Sequence, residues 1–328
     1  MGRKSESLQH ALLGRAMKEK ENNNTETLYK KRIKIFAKWA KEQGCKRPED
    51  ITKDVVQAYE QALENAPEGY APATIHTYLS PICAAAGINM REIRKPKRTA
   101  GAITRGRDRA ADGTMIDRNP DGKRQEGEEK YARLVTLQGV VGIRRAELGK
   151  LVGADLVQKG NSWYVRVRRG KGGKSQLQYI LPKDVQTVRE IFEGIGPEDK
   201  VFTKDEMNNK INLHGLRAKH SKDCYEYYTD LLTRPPEYAE KFRTLLLRRW
   251  DKGHEELKES NLKAWEAQRK RFVSDMDDRP YKLRGENLRK AQALGLPEEY
   301  NRLALMCVSV LHLSHWRLDV TTTNYLVQ

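Results

Sequence analysis

Apolar residues recur at helical spacing along most of this chain and alternate along only one short stretch. Tyr29, Ile33, Phe36, Ala37 and Ala40 share one face of a helix that Thr25 opens and Gly44 closes. A second helix is expected from about Thr52, gathering Val55, Val56, Tyr59 and Leu63 before Pro67 and Gly69 end it. A third follows Pro72 and carries Ile75, Tyr78, Leu79 and Ile82 up to Gly87. Together they predict a small helical domain over 23–90. Residues 1–22 are polar, mixed in charge and poorly patterned, and read as a flexible arm.

A new apolar pattern, Tyr131, Leu134, Val135, Leu137, Val140 and Val141, opens a second domain with a helix at about 126. Gly142 interrupts it, and the next helix starts at Arg144 or Arg145 and runs through Glu147, Leu148 and Leu151. Trp163, Val165 and Val167 then alternate with Tyr164, Arg166 and Arg168, the period of a strand with one apolar face. The loop 169–175 turns the chain, and Leu177, Tyr179 and Leu181 pattern the return, giving a hairpin with lysine at its tip. Helical spacing resumes at Val185, Val188, Ile191 and Phe192. His214 and Arg217, at the head of a further helix, stand three apart and so share a face. A long charged, helix-rich segment follows from Tyr225 to about Pro297, with Tyr238, Phe242, Leu245, Leu246 and Trp250 on one stripe. An apolar helix from Leu303 to Leu311 leads into the tail. The fold class expected is mainly α with a small antiparallel β-sheet, in two domains, the second over 126–328 with a helical insertion at about 226–297.

Composition narrows the partner. A formal charge of +17 over 328 residues and an isoelectric point near 9.6 call for a polyanion, nucleic acid first. An anionic membrane is the competing partner, but no apolar run approaches the roughly 18 residues of a spanning helix and residues 1–20 lack an apolar signal core. A soluble, cytoplasmic protein associated with the nucleoid is therefore expected. Cys45, Cys83, Cys224 and Cys307 are far apart, with no C-x-x-C pair and no histidine spacing suited to zinc, so they read as buried free thiols and no metal is expected. Between the two domains, 91–125 is a basic linker in which Arg94, Lys95, Lys97, Arg98, Arg105 and Arg107 are candidate DNA contacts. Two readings of it stand side by side: a solvated tether, or a strap that neutralises phosphates as the chain closes round a duplex.

The candidate chemistry lies in three boxes. Gly142-Ile143-Arg144-Arg145-Ala146-Glu147-Leu148 is the first, His214-Gly215-Leu216-Arg217 the second, and Leu313-Ser314-His315-Trp316 with a threonine run and Tyr325 the third. Two arginines, a hairpin lysine, two histidines and a tyrosine, without clustered carboxylates, lack the acidic groups that hold magnesium ions. The set suits metal-free attack on a phosphodiester. Guanidinium groups fork onto the nonbridging oxygens, each preorganised donor being worth about 3 kcal/mol of barrier. The phenol attacks, and lysine or histidine protonates the departing 5′ oxygen. A phosphotyrosyl link would store the bond's energy, so rejoining needs no ATP.

With these residues in place the chain resembles the tyrosine recombinases, the phage-integrase family, over roughly 125–328. The resemblance implies that Arg144 is the first catalytic arginine and Glu147 its structural acid. Lys171 would be the hairpin lysine, with Lys174 close enough to compete. His214 and Arg217 match the second box, His315 the third-box histidine and Tyr325 the nucleophile. Ser314 stands where the family has glycine, and Tyr325 lies ten residues after His315 where nine is commoner; counting from Trp316 restores nine, so Trp316 competes for that position. The helical domain at 23–90 then resembles the family's SAM-like core-binding domain, and residues 1–22 are too short for a separate arm-site module. The family's helix after the nucleophile often docks on a neighbouring subunit; three residues follow Tyr325, so the insertion is expected either to take over that contact or to be a solvated appendage.

The activity implied is site-specific DNA recombination or integration through a 3′-phosphotyrosine, metal-independent and without cofactor, by a homotetramer on two duplexes. Two alternatives stand beside it. One is a type IB topoisomerase, which would relax DNA as a monomer; the other is a non-catalytic DNA-binding regulator of recombinase ancestry.

Overall fold

The structure is a computed structural model that describes residues 7–18, 23–66, 70, 72–94, 123–168, 170, 175–209 and 211–327. It is mostly helical with small antiparallel sheets, and it divides into two compact units, Met1–Pro120 and Asp121–Gln328.

In the first unit, α1 (Leu8–Met17), α2 (Asn23–Glu42), α3 (Lys53–Glu64) and α4 (Pro72–Ala86) enclose one core. The expected flexible arm is corrected over α1. Leu8, Leu12 and Ala16 recur every four residues, forming a narrow apolar stripe that is buried against α2 and α4. Ser7 caps that helix by accepting from the His10 N–H. Thr52 caps α3 in the same way, through the Val55 N–H. Helix α2 starts two residues before Thr25 and stops at Gly44, whose φ of 85° a side chain would resist. Ile93 closes the core from beyond a 3-10 turn at Met90–Glu92, so this end of the expected linker belongs to the helical unit.

The second unit opens with α5 (Lys123–Lys130) and α6 (Ala132–Val141), followed by α7 (Arg145–Leu148). Strands β1 (Leu156–Lys159), β2 (Ser162–Val167) and β3 (Gln176–Tyr179) form an antiparallel sheet in that order, with Val165 opposite Leu156 on one side and Gln178 on the other. The hairpin was legible; β1 was not, because four residues of Leu-Val-Gln-Lys carry too little alternation. Val165 and Val167 face a core shared with Leu134, Leu137 and Val141 of α6 and with Val188 of α8 (Val185–Phe192). A short α9 (Lys204–Met207) precedes α10 (Leu213–Leu231).

The segment expected as an insertion forms α11 (Glu237–Gly253), α12 (Glu255–Ser260), α13 (Leu262–Ser274), the two-residue strands β4 (Tyr281–Lys282) and β5 (Glu299–Tyr300), and α14 (Gly285–Ala293). It is no solvated appendage. Leu246, Trp250, Phe272, Met276, Leu283 and Ala291 are buried in the same core as Tyr325, Leu326 and Val327. The chain then runs through α15 (Arg302–Cys307), a π-helical stretch at Val308–Leu313, α16 (Leu318–Thr321) and a π-helical turn at Thr322–Leu326. No helix among the described residues is long and apolar enough to cross a membrane.

Candidate active site

Helix α6 must stop and reverse to bring Arg144 inward, and Gly142 supplies the reversal at φ 63°. A Cβ there would also collide with the ring of His220, so the position has both a conformational and a steric reason to be glycine. Gln138 fixes the turn from inside: its buried amide donates to the Ile143 carbonyl at 2.8 Å and to the Leu213 carbonyl at 2.7 Å, tying the first box to the head of α10. Arg144 caps α7. Its backbone N–H and its guanidinium both donate to the Glu147 carboxylate, at 2.8 and 2.7 Å, and Glu147 is buried. Arg145 turns the other way and is spent on the Met207 and Ile211 carbonyls and the Asn209 amide oxygen. Geometry therefore separates two adjacent arginines that the sequence left equivalent as helix starts.

Arg217 is buried, one turn into α10, and each of its three guanidinium nitrogens donates a hydrogen bond within the protein. It donates to the Gly142 carbonyl, to the Leu313 carbonyl at 2.9 Å and, through Nε, to the Tyr325 hydroxyl at 3.3 Å. Arg144 reaches the same Leu313 carbonyl at 3.5 Å. Burial pushes the Arg217 guanidinium below its ordinary value; the Tyr325 phenol opposes the shift and the neighbouring Arg144 charge adds to it.

The third box reaches this point by an abrupt turn. Ser314 and Trp316 both take left-handed φ, 53° and 60°, on either side of His315. Such a conformation at Ser314 costs of order 1 kcal/mol or more in a non-glycine residue. Ser309 holds the turn closed, accepting the His315 N–H at its carbonyl and the Arg317 N–H at its hydroxyl. The result places His315 Nε2 at 2.9 Å from the Tyr325 hydroxyl. Trp316 points elsewhere, against Phe272 and His254 of the inserted helices. The ring of His214 lies 5.5 Å from that of Tyr325, which is itself buried.

Arg144, Glu147, His214, Arg217, His315 and Tyr325 thus converge. Lys171 and Lys174 lie outside the described residues, as do Lys95, Lys97, Arg98, Arg105 and Arg107. Arg94 is described and is not a free cation: its guanidinium is paired with Glu60 and Glu64, which stand four apart on α3. Sequence reasoning also missed the Leu313 carbonyl that both arginines share, Gln138, and Ser309. A backbone oxygen leaves no trace in a sequence.

No protein-family model matches this chain, and neither does any curated protein. Among solved structures, a crystal structure of XerA recombinase is similar over 66% of this chain and 82% of that one, at 16% identity and a TM-score of 0.22.

Proposed function

We propose that this protein is a DNA strand-exchanging enzyme, a site-specific recombinase or integrase of the tyrosine recombinase type. The observation that carries the reading is the Tyr325 hydroxyl held by Arg217 and His315, with Arg144 on the carbonyl that Arg217 also uses. In the reaction, the Tyr325 oxygen attacks a backbone phosphorus and displaces the 5′ oxygen, leaving a 3′-phosphotyrosine. Arg217 and Arg144 stabilise the charge that builds on the nonbridging oxygens. His315 is placed to take the phenolic proton: Arg217 can only donate to the phenol oxygen, which leaves the hydroxyl proton free for an unprotonated Nε2. His214 or the hairpin lysine, Lys171 or Lys174, would protonate the departing oxygen. Attack by a free hydroxyl on the phosphotyrosine then restores the phosphodiester without ATP.

The described state is closed. Tyr325 is buried and the Leu313 carbonyl occupies donors that a phosphate needs, so DNA must draw the tail and the turn at His315 off Arg217 before attack. That rearrangement fits a chain that cleaves only on an assembled target, with a homotetramer on paired duplexes as the proposed assembly.

The test is a nicked suicide substrate made from the DNA flanking the protein's own gene. The wild type is expected to form a covalent complex that survives denaturation, and Tyr325→Phe to bind the same DNA without forming one. Equal covalent yield from both proteins, or noncovalent binding by both with no covalent product, would refute the reading.

A further inference from the structure

One cluster of reactive side chains lies outside this chemistry. His220 and Cys224 stand four apart on α10 and so share a face, and His312 meets them from the π-helical stretch that ends at Leu313. All three are buried. His220 Nε2 lies 3.2 Å from His312 Nδ1, and the Cys224 sulfur lies 3.4 Å from each of those nitrogens. Tetrahedral zinc, with bonds of about 2.0–2.3 Å, sets its nitrogen and sulfur donors about 3.3–3.6 Å apart. The three donor atoms therefore stand at the mutual distances of one face of such a shell; the Cys224 sulfur, 3.8 Å from His220 Nδ1 as well, lies beside that ring and swings toward the Nε2 lone pair as a cation enters.

The groups behind them are those that orient ligands in metal sites. The Gly139 carbonyl, 3.2 Å from His220 Nδ1, can only accept, so it takes the ring proton and leaves Nε2 with a lone pair toward the cluster. The Tyr228 hydroxyl, 2.9 Å from His312 Nε2, can hold that ring in either tautomer.

We propose that His220, Cys224 and His312 bind one thiophilic d10 cation, zinc, leaving it one further coordination position. Loading replaces the thiol proton of Cys224, which is released to solvent, with the metal. The ring proton of His312 moves from Nδ1 to Nε2, where the Tyr228 oxygen accepts it, so Nδ1 becomes a ligand and the imidazole stays neutral. Charges of both signs lie near the cluster, Asp184 and Asp223 against Lys183, Arg217 and Arg249, and none of them is a ligand, so the thiolate supplies the negative charge in direct contact with a dication. The cation would join α10, which carries Arg217, to the stretch that presents the Leu313 carbonyl, and so lock the closed state from beneath.

The full-length chain, stripped with chelator, is titrated with cobalt(II), both folded and during refolding from denaturant. The site predicts one cobalt per chain with a thiolate-to-cobalt charge-transfer band, displaced by zinc, and a higher melting temperature with zinc. Cys224→Ala should abolish the band and the zinc-dependent shift, while Cys83→Ala, a buried thiol in the other unit, should keep both. No charge-transfer band in the wild type, or a band that survives in Cys224→Ala, overturns the site. The wild-type titration decides the matter even if a variant fails to fold, and it does not depend on whether Tyr325 cleaves DNA.

Discussion

Arg217 is a cation whose hydrogen-bonding groups face protein alone, and the free energy of that arrangement comes from three acceptors: two backbone carbonyls and a phenol. Removing it would orphan the Gly142 carbonyl at about 1–3 kcal/mol and leave the Leu313 carbonyl to Arg144 alone, so stability and chemistry would fall together and an alanine variant would be hard to read. The phenol is the better place to intervene, because Tyr325→Phe removes one oxygen and keeps the ring packing. A second residue-scale consequence concerns acid. Burial drives His220 from 6.5 down to about 4, and His312 is pushed well below its ordinary value for the same reason. Both are neutral in the fold but take protons when unfolded, so stability present above pH 6.5 is lost as pH falls through the window from 6.5 toward 4. His220 alone accounts for up to about 3 kcal/mol of that loss. Chemical denaturation of the chelator-treated chain should show it, and a midpoint unchanged between pH 7.5 and pH 5 would contradict it. The histidine, arginine and tyrosine of the site were legible because each sits in a short box with fixed spacing. The cluster at His220 was not. Its H-x-x-x-C half is visible, but His312 lies 92 residues beyond His220, and only the fold joins them.

At the scale of elements, patterning succeeded wherever a helix buries a broad face and failed where the buried stripe is narrow or the context decides. Helix α1 buries three residues in ten, with Leu13 and Met17 packed beside them, and the polar residues before and after it made the whole of 1–22 look like a tether. Leu12→Ala should cost about 2–5 kcal/mol of unfolding free energy in the helical unit, since Leu12 is fully buried. A change within about 0.5 kcal/mol would mean that α1 is an arm after all. The inserted helices were misjudged for a different reason. Their surface is so charged that they read as an appendage, yet Leu246 and Trp250 of the stripe seen in the sequence, joined by Phe272 of α13, are buried in the core that holds the tail, while Leu245 of that stripe is exposed. Arg249 donates to the Leu177 carbonyl on β3 at 2.8 Å, and Asn287 donates to Thr323 at 2.7 Å. Trp250→Ala should therefore cost about 3–5 kcal/mol and loosen the turn that presents His315, lowering strand cleavage as well as the melting temperature. Full stability in that variant would return the segment to the status of an appendage.

For the whole molecule, the charge of +17 suits a polyanionic partner but does not say what happens to it, since steep salt dependence would accompany any DNA-binding function. The proposed function turns on the place where distant parts of the second unit meet. Arg144 follows α6, Arg217 rides on α10, and Tyr325 comes from a π-helical turn braced by the inserted helices. Each brings one group to a place that no local segment could build. The most direct test identifies the bond itself. DNA trapped on the protein is digested with protease and nuclease, and the modified peptide is sequenced by mass spectrometry. A single adduct is predicted, on Tyr325, through the 3′ phosphate of the broken strand. An adduct on another residue, or one through a 5′ phosphate, would contradict the proposed chemistry.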